Sequence, residues 1–224
     1  MSYRGILFDF GGTLDADGLT WKDRFFRLFR EEGVSLAPAA FDPHFYAADD
    51  GLVGTLPETL GLRDSVDRLA RDLAARLGPG AERAGERVAA RFLDDALARL
   101  DANRAVLGRL RERYRLGVVS NFYGNLEAVC DDVGIRPLFD VIVDSARVGC
   151  TKPDARIFRC AVDALGLTFP QVMFVGDSPT RDMAGARAVG MAHVWLVDAD
   201  GSARTPCCAG DRVIHTLKDL EGVL

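Results

Sequence analysis

Lysine is scarce in this chain. Of 28 cationic residues, only Lys22, Lys152 and Lys218 are lysine, and the rest are arginine. Each lysine is therefore more informative than usual. The five cysteines (Cys130, Cys150, Cys160, Cys207 and Cys208) contain no CxxC pair, and Cys207 and Cys208 are adjacent. Neighbouring residues cannot form an ordinary structural bridge. The thiols are read as small, buried and reduced, in a cytoplasmic protein. No apolar run approaches the roughly 20 residues of a membrane span. The apolar stretch within Met1–Asp9 is too short for a secretory signal, and no small-residue cleavage site follows it. A net charge of −5 argues against a general nucleic-acid surface. With 48% hydrophobic residues, the chain is not expected to be disordered. Its 224 residues suit one large domain, or a domain carrying an insertion.

Six short aliphatic or β-branched runs end in small or acidic residues: 5–10, 116–120, 141–143, 172–175, 193–197 and 212–214. Runs of this kind read as buried parallel strands. Helical patterns at 126–133, 154–165 and 180–189 lie between them. Each stops at a glycine (Gly134, Gly166 or Gly190), the usual residue just past a helix end. Alternation of strand and helix predicts βαβ units and a parallel sheet. Residues 16–100 differ: helices are read at 21–32, 38–48, 62–77 and 81–100, with no strand. Leu62, Val66, Leu69, Leu73 and Leu77 fit a short heptad, but two heptads are too few for a coiled coil, so packing within the insertion is expected. Residues 198–210 read as a polar loop without a site signature.

Ligands of a doubly wound sheet bind beyond the carboxyl ends of its strands. Four such ends carry reactive groups: Asp9-Phe10-Gly11-Gly12-Thr13-Leu14, then Ser120-Asn121, then Lys152-Pro153-Asp154 ahead of a helix, and Gly176-Asp177 running on to Asp182. Taken singly, each is ordinary, since Asp9 or Asp177 could be a turn residue, Ser120 a turn hydroxyl and Lys152 a solvated surface cation. Together they place a nucleophile, a hydroxyl, a cation and a second carboxylate in one crevice. Asp9 can attack phosphorus to form a covalent adduct. Asp9 and Asp177 suit Mg²⁺, a hard cation that takes oxygen ligands. Lys152 is a point charge able to touch both nucleophile and transferring group. Ser120, with nearby backbone N–H groups such as those around Asn121, can hold phosphate oxygens. Gly11 and Gly12 let the backbone approach an anion closely.

With these motifs the sequence resembles the haloacid dehalogenase-like hydrolase superfamily. Asp9–Leu14 stands as the first motif, Ser120 as the second, Lys152 as the third and residues 176–182 as the fourth, continuing in family fashion to Met191. The resemblance implies an α/β fold, with a Rossmann-like parallel-sheet core at 1–15 and 101–224. An all-helical cap domain at 16–100 would be inserted into it. It further implies Asp9 as nucleophile, and Mg²⁺ held by Asp9, the main-chain carbonyl of Gly11 and Asp177, with Asp182 an indirect ligand. The expected partner is a small phosphorylated molecule, acted on by a monomer or homodimer.

One departure matters. Phosphatases of the family carry a general acid–base Asp two residues after the nucleophile, where this chain has Gly11. Such a group is typically worth about 10²–10⁴-fold in rate. Unless Asp15 or Asp17 stands in, aryl or acyl phosphates should be favoured, and Gly11→Asp is expected to raise turnover. The alternatives are a hydrolase of C–halogen or C–P bonds, and a non-catalytic binding protein on the same scaffold. In the insertion, Trp21, Lys22, Arg24, His44 and Tyr46 are candidates for specificity. His193 and His215 carry no signal.

Overall fold

The computed structural model describes residues 3–199 and 212–224. Six strands form one sheet: β1 (Gly5–Phe8), β2 (Arg115–Ser120), β3 (Val141–Asp144), β4 (Val172–Gly176), β5 (Ala192–Leu196) and β6 (Arg212–Ile214). Their order is β3-β2-β1-β4-β5-β6, and every neighbouring pair is parallel. All six expected strands are present, so the α/β fold with a Rossmann-like parallel sheet is the fold observed.

β1 is buried along its whole length because helices cover both faces of the sheet. Side chains alternate between those faces with the two-residue period of a strand. Ile6 and Phe8 enter a core shared with the helical insertion, whereas Leu7 enters a second core with Ile157, Phe158 and Trp195. The chain runs outward from β1 through β2 to β3, then crosses back to β4. β1 therefore sits at the point where the strand order reverses, and the crevice for a ligand opens beyond its carboxyl end. Register does the rest: Phe8 pairs with Val118 on one side and Val175 on the other. Asp9, Ser120 and Asp177 consequently emerge along the same edge.

Between β1 and β2 lie four helices: α1 (Trp21–Glu31), α2 (Pro38–Leu52), α3 (Leu62–Leu77) and α4 (Ala81–Arg111). α4 runs eleven residues beyond the expected end at Leu100, and Val106, Leu107 and Leu110 bury its last turns. α2 also continues past Ala48 to Leu52. Leu62, Val66, Leu69 and Leu73 are buried within this chain, so the heptad is intramolecular packing against α2 and α4. Phe25 stacks on Phe92 at 4.6 Å, and Phe41 on Phe45 at 6.2 Å, giving the insertion an aromatic core. The remaining helices are α5 (Leu126–Asp132), α6 (Ser145–Val148), α7 (Ala155–Ala164) and α8 (Ala184–Ala188). α8 is shorter than the pattern over 180–189, because Pro179–Met183 forms a separate wide turn.

Cys130 and Cys150 are buried as expected, but Cys160 is exposed on α7. Cys207, Cys208 and most of the loop read at 198–210 lie outside the described residues. Among the described residues no helix is long and apolar enough to cross a membrane.

Asp15 is neither a surface turn residue nor an acid facing the crevice. It is fully buried and accepts hydrogen bonds from Gly12 N at 2.7 Å, Trp21 Nε1 at 2.7 Å and Arg24 Nη1 at 2.8 Å. Arg24, itself buried, lies over the Phe92 ring at 3.7 Å and also reaches Asp95. This ion pair ties the loop after β1 to α1 and α4. Removing one member of a buried pair leaves an uncompensated charge, at about 3–5 kcal/mol. Asp15→Ala should lower unfolding stability by that order in urea denaturation, and Asp15→Ala with Arg24→Met should recover part of the loss.

Candidate active site

Asp9 follows the last residue of β1 and is fixed there by Asp9 N donating to Val175 O at 2.9 Å. Its Oδ1 accepts from Phe10 N at 2.7 Å and from Ser120 Oγ at 2.7 Å, and lies 2.8 Å from Lys152 Nζ. All three donors converge on Oδ1, which leaves Oδ2 as the oxygen they do not engage. Lys152 is buried, and its Nζ also lies 2.7 Å from Asp182 Oδ1. Burial opposes its charge, but Asp182 and Asp9 outweigh that and hold the ammonium above its ordinary pKa. Asn121 clamps the Lys152 loop with two bonds: Lys152 N donates to Asn121 Oδ1 at 2.7 Å, and Asn121 Nδ2 donates to Lys152 O at 3.1 Å.

Asp177 leaves the end of β4. Thr13 Oγ1 donates to its Oδ1 at 3.0 Å, and Trp195 Nε1 donates to its carbonyl at 2.9 Å. Gly12 has φ +86°, and a Cβ there would meet Asp177 Oδ2 at 2.5 Å, so only glycine lets these two segments close on each other. Burial, reinforced by the charges of Asp9 and Asp182, pushes the Asp177 carboxyl well above the usual carboxylate range. Burial likewise pushes Asp182 up to about 6.

Oxygens of Asp9, Asp177 and Asp182 lie within 4.8 Å of one another. Three buried carboxylates face one ammonium, an excess of negative charge that a divalent cation would neutralise. All-oxygen donors are the chemistry a hard cation prefers. Asp9 and Asp177 fit the metal-ligand role, whereas Asp182 has Oδ1 on Lys152 and Oδ2 accepting from Ser178 N at 2.9 Å. Asp182 therefore stands behind the lysine and does not line the cleft.

That cleft has a volume of about 290 Å³. Asp9, Gly11, Ser120, Asn121, Lys152 and Asp177 all line it. Gly12 does not: its N–H is committed to Asp15, so its expected contact with phosphate gives way to close packing on Asp177. Among the insertion candidates, Trp21, Lys22 and Tyr46 reach the cleft. Arg24 is drawn into the buried pair with Asp15, and His44 is not among the cleft's walls. Asp17 pairs with Arg99 at 2.5 Å, away from the cleft.

Residues missed in the sequence include Asp49, Phe45, Phe122, Tyr123 and Arg181, which also line the cleft. A signal existed for Asp49. It lies four residues after Phe45, one helical turn along from the buried stripe of α2. Reading that helix to stop at Ala48 hid it.

The chain belongs to the haloacid dehalogenase-like hydrolase family, whose model matches residues 3–190. It is 42% identical over 99 residues to haloacid dehalogenase-like hydrolase domain-containing protein 3 of Bos taurus, covering 44% of this chain and 39% of that protein. It is 30% identical over 122 residues to pyrimidine 5'-nucleotidase YjjG of Escherichia coli K12, 54% of each. Phosphatase MT3486 of Mycobacterium tuberculosis is 28% identical over 178 residues, 79% of this chain and 75% of that one. The chain thus spans about two fifths to a half of the first two relatives. The fold is shared with the magnesium-bound HAD-hydrolase YfnB of Bacillus subtilis: TM-score 0.63 and 21% identity, covering 100% and 99% of the two chains.

The carboxylate cluster has a consequence for stability. Asp177 and Asp182 have folded pKa values above their unfolded ones, so the folded state holds more protons as these groups titrate. Stability must then fall as pH rises from about 4 through about 6 and beyond. A rise of two pKa units amounts to on the order of 2–3 kcal/mol. Urea denaturation without divalent cations should show this decline, and Asp177→Asn should flatten it. Parallel pH profiles for the two proteins would contradict the assignment.

Proposed function

We propose that this protein is a Mg²⁺-dependent phosphatase of a small phosphorylated metabolite, acting through an aspartyl-phosphate on Asp9. The observation that carries this reading is the meeting in one cleft of Asp9, Ser120 and Asp177, each at a different strand end, with Lys152 from the loop between α6 and α7. Relatives named as phosphatases and a nucleotidase support the same chemistry.

Asp9 attacks phosphorus through Oδ2, while Ser120, Phe10 N and Lys152 fix its other oxygen. Such positioning turns a bimolecular attack into an effectively unimolecular one. Lys152 draws the phosphoryl oxygens toward Asp9, and Asp182 holds the lysine in place. Mg²⁺, held by Asp9, Asp177 and the Gly11 carbonyl, supplies positive charge to the phosphoryl group when bound. Residues 16–100 act as the cap that covers the reacting group, with Trp21, Lys22, Phe45 and Tyr46 on the substrate side. One chain carries the whole cleft, so a monomer suffices. The reduced thiols suit a cytoplasmic setting.

Gly11 has φ −72° and ψ 121°, angles any residue adopts. The obstacle to an acid at this position is Trp21. A Cβ on Gly11 would lie 3.1 Å from Trp21 Nε1 and 3.2 Å from its Cδ1. Trp21 is held by Asp15 and by edge contacts with Phe92 and Phe122, so it cannot easily yield. In place of the gain expected from the sequence, Gly11→Asp should lose about 1–3 kcal/mol to overpacking against Trp21 and gain no activity.

Asp9→Asn should abolish phosphate release while the protein stays folded by circular dichroism. Chelation should stop the wild type, and added Mg²⁺ should restore it. Halide release from a haloacid, indifferent to chelator, would overturn the reading.

A further inference from the structure

A phosphatase with glycine at position 11 needs its proton from elsewhere, and Asp15 and Asp17 are both engaged outside the cleft. Four carboxylates line the cleft: Asp9, Asp177, Asp23 and Asp49. The first two serve as nucleophile and metal ligand. Asp23 lies at the start of α1, its carboxyl one-third exposed and 3.7 Å from Lys22 Nζ. Asp49 differs. It projects from the last turns of α2, and Tyr123 Oη donates to its Oδ1 at 2.5 Å. Tyr123 lies three residues after Ser120, and its ring packs on Phe122 and Trp21. Gly54 N, just past the end of α2, donates to Tyr123 O at 2.9 Å. Two bonds thus fasten the end of α2 to the loop after β2, so Asp49 has a fixed place relative to the Ser120 strand end.

Resting on the phosphatase reading, we infer that Asp49, oriented by Tyr123, is the proton donor to the leaving group and the base for the water that clears the aspartyl-phosphate. Tyr123 occupies Oδ1, which leaves Oδ2 to carry the proton. Burial favours the protonated carboxyl, as does neighbouring Asp50, against Tyr123 and Arg181. Lys22 and Asp23 of α1 face the same space. Tyr123 is itself pushed far above its ordinary pKa by burial, so it remains a neutral donor while Asp49 titrates.

In the first step Asp9 Oδ2 forms a bond to phosphorus as the bond to the ester oxygen breaks. The released electron pair takes the proton of Asp49, giving the alcohol and an Asp49 carboxylate. In the second step water takes the place vacated by the alcohol. Asp49 accepts its proton as the water oxygen bonds to phosphorus, and the bond to Asp9 breaks with its pair returning to the carboxylate. Asp49 ends protonated, and the sum is ester plus water giving alcohol plus phosphate.

The test compares wild type with Asp49→Asn on a primary alkyl phosphate and on p-nitrophenyl phosphate, both with Mg²⁺. Asparagine keeps the oxygen that Tyr123 binds, so folding should survive. Loss of a general acid should lower kcat for the alkyl ester by about 10²-fold or more, with KM little changed. The aryl ester, whose leaving group needs no proton, should give a stoichiometric burst of nitrophenolate followed by slow turnover. In wild type, activity should fall on the alkaline side as Asp49 ionises. Tyr123→Phe, which removes a bond favouring the carboxylate, should move that limb to higher pH. Absence of the nitrophenolate burst in Asp49→Asn, a change confined to KM, or a limb unmoved by Tyr123→Phe would overturn the assignment. A wild type that cleaves no phosphate ester would overturn the phosphatase reading with it. A wild type that does, with Asp49→Asn unimpaired, would overturn only the role of Asp49.

Discussion

A buried ammonium is the constraint around which the site is arranged. Lys152 lies between Asp9 and Asp182, and neither carboxylate could sit at such depth without it. A buried cation must in turn be approached from more than one side, and the two carboxylates come from segments far apart in the sequence. Asp9 follows the first strand, and Asp182 comes from a wide turn after the fourth. The sheet order places these two strands side by side, and Asn121 anchors the lysine loop to the second strand. Topology, charge balance and the geometry of Asp9 are thus one problem with one solution.

The core was legible because its signals are local. Buried parallel strands are continuous apolar runs, and helix ends are marked by glycine. Asp9, Ser120 and Asp177 are visible in order at the ends of apolar runs, whereas Lys152, read as a fourth strand end, lies beyond α6 in the loop ahead of α7. What escaped was relational. Nothing in the short range of the sequence shows that Gly12 turns its amide toward Asp15, or that Arg24 folds inward. The two misplaced helix ends had a similar origin. Ala48-Asp49-Asp50-Gly51 looks like a helix stop, but contacts between the end of α2 and the Tyr123 loop carry the helix on to Leu52. Tertiary packing there outweighs local propensity.

The insertion is joined to the sheet in two unlike ways. α4 is continuous from the insertion into the core, and Asn103 on it donates to Leu14 O at 3.0 Å. α1 instead docks through Asp15, with Trp21 and Arg24 on the same carboxylate oxygen. The loop that begins at Asp9 is therefore braced by α1, which also walls the cleft, and by α4. Asp9 and the α1 wall of the cleft share a mechanical support, and a substitution in either is felt in the other.

The chain has two tryptophans, and both touch the site. Trp21 lies against Gly11, and Trp195 donates to the carbonyl of Asp177 from beneath the sheet edge. Indole emission from this protein consequently originates from one ring that lines the cleft beside Gly11 and one buried behind Asp177. Its ultraviolet fluorescence is a native optical gauge of events around Asp9 and Asp177, with no label to attach.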